Sequence, residues 1–101
     1  MMKIAVASDG KDESSTVSTK GARASYYLFF EDGVLVETMK NPFAVGGGGA
    51  GWSVAHTLAQ KGVELVIAGA FGNNFETALS QKGISTKSAP GEVVGDLIKQ
   101  L

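Results

Sequence analysis

Five of the six residues from Gly46 to Gly51 are glycine, with Ala50 the exception. Glycine gives up the most chain entropy on folding and offers no side chain to bury, so a compact domain rarely keeps such a run for packing. What the run offers is bare backbone, whose successive N–H groups can turn toward a closely approaching group. From Trp52 onward the sequence reads as a helix. The run therefore ends at a helix N-terminus, where N–H groups lack partners and the dipole favours negative charge. This pattern predicts an anion site with the N–H groups of Gly47, Gly48, Gly49, Ala50 and Gly51 as donors.

Nine basic residues against ten acidic ones give a net charge of −1. No global field draws such a chain to nucleic acid or to a membrane, so anion affinity must come from local geometry. The absence of cysteine excludes disulfides, thiolate ligands and a cysteine nucleophile. With a single histidine as well, a metal site built from protein ligands alone is not expected. A length of 101 residues, 44% of them hydrophobic, suits one domain over 1–101. The N-terminus lacks a signal-peptide profile, and no apolar run reaches the ~18 residues of a membrane span. A cytoplasmic protein is expected.

Lys3–Ser8 is apolar on both alternating faces, as in an interior strand covered from both sides. Asp9 to Ala24 follows as a long polar connection in which Val17 is the one large apolar residue. Tyr26–Glu31 and Val34–Lys40 read as strands joined by an Asp32-Gly33 hairpin turn. Beyond the glycines, Trp52, Ala55, Leu58, Ala59 and Gly62 share a helical face, and Gly62 stops the helix. Val63 to Gly69 reads as a second buried strand. Asn73 with Glu76 resembles a capping box opening a helix that ends at Lys82-Gly83. Ile84–Lys87 is a short polar edge strand, and Pro90 suits the first turn of a last helix with Val94, Leu97, Ile98 and Leu101 inward. Leu58–Val63 and Leu79–Ile84 are the same helix-stop-strand joint, 21 residues apart.

The order βββαβαβα predicts an α/β fold of ribonuclease-H-like topology: a five-stranded mixed sheet, order 3-2-1-4-5, with helices on both faces. Strands 1, 3, 4 and 5 then point the same way. Their exits, the glycine run among them, share one end of the sheet with the N-termini of all three helices. Open α/β sheets bind ligands at that edge. Lys11, Lys20, Arg23 and Lys40 lie on or beside it, with Arg23 suited to fork onto an anion and Lys20 to supply charge.

Other chemistries fit less well. Gly46-x-Gly48-x-x-Gly51 matches a dinucleotide pattern only as any glycine run would, with no βαβ frame and no ribose-binding acid. Trp52 stands where a phosphate-gripping loop needs lysine. A nuclease needs converging carboxylates, whereas Asp9 reads as a turn with Gly10. His56 reads as a half-buried helix residue packed on Trp52, or as a ligand donor aimed at the glycine loop. No residues suggest a catalyst, and a non-enzymatic protein is expected.

Lys3-Ile-Ala-Val-Ala-Ser-Asp-Gly10, Arg23-Ala24, Asn41-Pro42-Phe43 leading to Gly46-Gly47-Gly48-Gly49-Ala50-Gly51, and Gly62-Val63 through Ala68-Gly69 to Gly72-Asn73 resemble the dinitrogenase iron–molybdenum cofactor biosynthesis family. This is the domain type of NifX, NafY and the C-terminal part of NifB. The resemblance implies a carrier of iron–sulfur or iron–molybdenum clusters, their precursors, or related molybdenum-containing anions. It also implies a cluster-donor or acceptor protein as partner. Where the family reads His-Phe-Gly-Arg-Ala, this chain has Lys20-Gly21-Ala22-Arg23-Ala24, so Lys20 takes the histidine's place. The cargo is expected at Gly47 to Gly51 with Arg23, Lys20 and His56. An interaction or regulatory module without a cluster, and a small phosphate or nucleotide binder, are the alternatives.

Overall fold

The structure, a computed structural model, describes residues 2–45 and 49–101. Its central strand β1 (Lys3–Ser8) pairs antiparallel with β2 (Tyr26–Glu31), which pairs antiparallel with β3 (Val34–Lys40). On its other side β1 pairs parallel with β4 (Leu65–Ala68), and β4 with β5 (Ser85–Ser88). The order is β3-β2-β1-β4-β5, as the sequence predicts. Strand alternation divides the core. Ala5, Ala7, Tyr27, Phe29, Val66 and Ala68 pack against α1 (Ala50–Gln60) and α2 (Asn73–Gln81). Val6, Leu28, Phe30 and Ile67 pack against α3 (Val94–Lys99) on the opposite face. Being covered from both sides is why β1 is apolar at successive positions.

Turn chemistry sets the joints. Asp32 and Gly33, at φ 52° and 78°, supply the two left-handed residues of a tight hairpin. The repeated helix-stop-strand joints are twin Schellman caps. Val63 N–H bonds to Leu58 O and Gly62 N–H to Ala59 O; Ile84 N–H bonds to Leu79 O and Gly83 N–H to Ser80 O. Leu58, Val63, Leu79 and Ile84 are all buried, completing the apolar contact of each cap.

Four expectations need correction. Helix α1 begins at Ala50, and its buried stripe is Ala50, Val54, Ala55 and Leu58. Trp52, about 200° round the helix from Ala50, is 43% exposed rather than inward. The residue capping α2 is Gly72, so Asn73 is already helical and no capping box forms. Strand β5 lies one residue later than expected. Helix α3 begins four residues after Pro90, because Gly91 at φ 79° turns the chain and the N–H groups of Val94 and Gly95 bond to Ser15 O and Glu13 O. Leu101 is 53% exposed.

The long connection after β1 is built into the sheet end. Val17 is fully buried on the α3 side, and its N–H donates to Glu92 O at 2.9 Å. Ser18 N–H donates to Ala7 O at 2.8 Å, and Gly69 N–H to Ser18 O at 2.7 Å. The connection thus bridges the exits of β1 and β4.

Gly51 lets α1 and α2 touch backbone to backbone: a Cβ there would lie 2.8 Å from Phe75 N and 3.0 Å from Phe75 Cα. Gly51→Ala should therefore cost about 1–3 kcal/mol as overpacking, seen as a lower urea midpoint with an unchanged slope. Gly72→Ala, whose Cβ meets nothing within 4 Å at an ordinary φ of −77°, should cost less than about 1 kcal/mol, since the poorer cap is offset by the smaller entropy of the unfolded chain.

Candidate functional site

A cleft of about 550 Å³ lies among the segments that follow β1, β3 and β4, at the exit end of the sheet. One wall is the tight turn Gly21–Arg23 with Lys20 before it, and the other two are the first turns of α1 and α2. The turn is fixed from three directions. The buried Tyr27 hydroxyl donates to Gly21 O at 2.7 Å, and burial pushes its pKa up so that it stays a neutral donor. Gly21, at φ 54°, sits so close to the exit of β4 that a Cβ would lie 2.9 Å from Ala70 O. The buried Asn41 amide donates to Ala22 O at 2.7 Å and to Ala24 O at 2.9 Å, on either side of Arg23. Asn41 Oδ1 accepts from Phe43 N–H at 3.0 Å, and Phe43 O accepts from Arg23 Nη1 at 3.4 Å. Asn41 through Val45 thus form a strap that leads from β3 toward the glycine run and holds Arg23 in a half-buried position.

Both long helices present uncapped N-termini to this cleft. Gly49, left-handed at φ 87°, precedes α1, Gly72 precedes α2, and neither helix has a side-chain cap. The N–H groups of residues 50–52 and 73–75 have no intrahelical acceptor by helix geometry. Two positive dipole ends therefore meet Lys20 and Arg23 in one depression. No carboxylate lines it among the described residues. A larger open depression of about 690 Å³ between α2 and β5 carries the Glu76 carboxylate and lacks this convergence of donors.

Of the expected site residues, Lys20, Arg23, Gly49, Ala50 and Gly51 come together here. Gly47 and Gly48 lie outside the described residues. His56 is exposed further along α1 and does not line the cleft; it is not packed half-buried, because it lies on the outward side of the helix with Trp52. Sequence reasoning missed Gly72, Asn73, Asn74 and Phe75 as a wall. Their signal was the Gly-Asn-Asn turn after the second buried strand, which brings a second helix start to the same edge. The third helix start does not join them, since α3 lies on the other face. Among the described residues no group of three His, Cys, Asp or Glu could hold a metal ion.

The family model for dinitrogenase iron–molybdenum cofactor matches residues 2–101. The chain belongs to that family. A solved Thermotoga protein, described as a candidate NifB protein of the DUF35 family, is 35% identical, with 98% of this chain and 85% of that one covered at a TM-score of 0.83. The apo form of the orange protein from Desulfovibrio gigas is 24% identical, with 99% and 85% covered at a TM-score of 0.87, a likeness of fold. No curated protein matches. Asn41, which opens the Asn-Pro pair before the glycines, has a structural role here: it ties the strap to the Arg23 turn.

Asn41→Ala would leave the Ala22 and Ala24 carbonyls without this partner in a buried setting. It should lower stability by about 1–3 kcal/mol, measured by urea unfolding, and amide exchange should rise first at residues 22–24 and 43.

Proposed function

We propose that this chain is a non-enzymatic carrier domain for an anionic iron–sulfur or molybdenum-containing cluster, its precursor or a related oxyanion, bound in the cleft between Lys20, Arg23 and the starts of α1 and α2. The observation that carries this is the cleft's donor-rich lining: two uncapped helix N-termini and two cations, without a carboxylate among the described residues. Such a lining suits a compact polyanion. Membership of the cofactor family supports a metal–sulfur cargo. The cargo arrives with its metal coordination complete and is held by hydrogen bonds and charge, since the cleft offers neither thiolate nor imidazole. Lys20 takes the position of the family's histidine and supplies charge in place of a ligand. The sheet order supports ribonuclease-H-like topology, and a cytoplasmic setting without nuclease chemistry goes with the reading. No helix among the described residues is long and apolar enough to cross a membrane.

A protein-interaction module is the second reading. It is favoured by Trp52 and Val45, 43% and 89% exposed, which flank the glycine run. On the carrier reading the same surface receives a cluster donor or acceptor.

Anaerobic gel filtration with tetrathiomolybdate, read by visible absorption, should show stoichiometric co-elution. The fluorescence of Trp52, the only tryptophan, should report molybdate and phosphate in competition. Lys20→Ala and Arg23→Ala should each weaken binding about tenfold, the loss of one charged hydrogen bond. Asn74→Asp should weaken it as much while leaving the fold at least as stable, because a carboxylate in the first turn of α2 occupies the positive end of the dipole. Failure of every anion to bind would remove the carrier role and leave the interaction module. Phosphate binding above tetrathiomolybdate would point to a phosphate binder.

A further inference from the structure

The strap Asn41–Val45 has a second cavity on its other side. It measures about 590 Å³, within the range of small-molecule sites, and lies where β1 and β3 exit and β2 begins. Tyr26 stands opposite Ser8 and Lys40 in register, and strand alternation puts it on the face of Leu28 and Phe30, the α3 side of the sheet. The chemistry differs from that of the anion cleft. Pro42, Ala44 and Val45 give it apolar walls, while Asp9, Tyr26 and Lys40 bring polar groups of both signs. Among the described residues, no side-chain hydrogen bond or ion pair engages the Asp9 carboxylate, the Tyr26 hydroxyl or the Lys40 ammonium. Val45 is left 89% exposed. Such a wall gains from being covered by an apolar group.

We propose that this cavity is a binding site for a small apolar zwitterion of the amino-acid class. Its carboxylate pairs with Lys40 and the Tyr26 hydroxyl, its ammonium pairs with Asp9, and its side chain lies against Pro42, Ala44 and Val45. A polyanion is disfavoured by Asp9 and a simple cation by Lys40, while a neutral apolar molecule leaves both charges unpaired. The proposal does not rest on the carrier reading, because a chain that carries no cluster would keep the same cavity.

Two-dimensional amide NMR of the 15N-labelled chain, titrated with L-leucine and L-phenylalanine, tests this. Saturable shifts should cluster at Asp9, Ser25, Tyr26, Lys40, Asn41 and residues 43–45. 3-Phenylpropionate, which lacks the amine, and phenethylamine, which lacks the carboxylate, should bind at least fivefold more weakly than phenylalanine. Asp9→Asn and Lys40→Gln should each weaken amino-acid binding by a similar factor while the remaining spectrum stays that of the folded chain. The proposal is overturned by the absence of saturable shifts up to roughly 20 mM, above the millimolar range of weak sites. Shifts centred elsewhere, equal binding of the truncated analogues, or variants that bind like the parent would overturn it equally.

Discussion

The approach of α1 to α2 at Gly51 is the constraint on which the site depends. The first turns of two helices normally keep apart, since each carries unpaired N–H groups and a positive dipole end. Here the missing Cβ of Gly51 lets α1 sit on the backbone of Phe75. Two like ends are then held together at the exit edge of the sheet. That arrangement costs electrostatic energy in the empty protein, which the buried stripes of α1 and α2 on β1, β2 and β4 offset. It leaves the cleft poised for negative charge.

Support comes from residues that never line the cleft themselves. Tyr27 is fully buried in β2, yet its hydroxyl positions the Gly21 carbonyl. The bonds of Ser18 to Ala7 and Gly69 pin the chain that presents Lys20. The long connection after β1 is consequently tied into the sheet end by backbone pairing. Its polar composition gave no sign of this pairing, because backbone hydrogen bonding leaves no mark on side-chain pattern.

The strand order, the hairpin turn and the two helix-stop joints were legible because period-two alternation and left-handed glycines are local signals. Helix starts were less legible. The glycine run hid the true beginning of α1, since Gly49, Ala50 and Gly51 carry no side-chain periodicity, and the expected apolar face was rotated onto Trp52. Asn73 looked like a cap because its spacing to Glu76 was right, but Gly72 before it takes the extended conformation that the cap requires. The cleft itself was half visible. Its glycines and Arg23 are sequence signals, whereas the wall from α2 depends on which helices meet across the sheet, a tertiary fact.

On the carrier reading, a lysine rather than a histidine at position 20 decides what kind of bond can hold the cargo. An imidazole can enter a metal's coordination sphere, and exchange is then governed by making and breaking a metal–nitrogen bond. An ammonium is a mobile point charge that does neither. Binding would rest on summed hydrogen bonds from the helix starts and on Arg23, whose position the strap fixes. Each such bond is individually weak, and salt or water can replace it. A carrier built this way favours release over permanent retention, which suits a protein that passes its cargo on. The strap then becomes the control point. It holds Arg23 on the cleft side and forms the apolar wall on the other, so whatever displaces Asn41–Val45 moves a principal charge of the cleft with it.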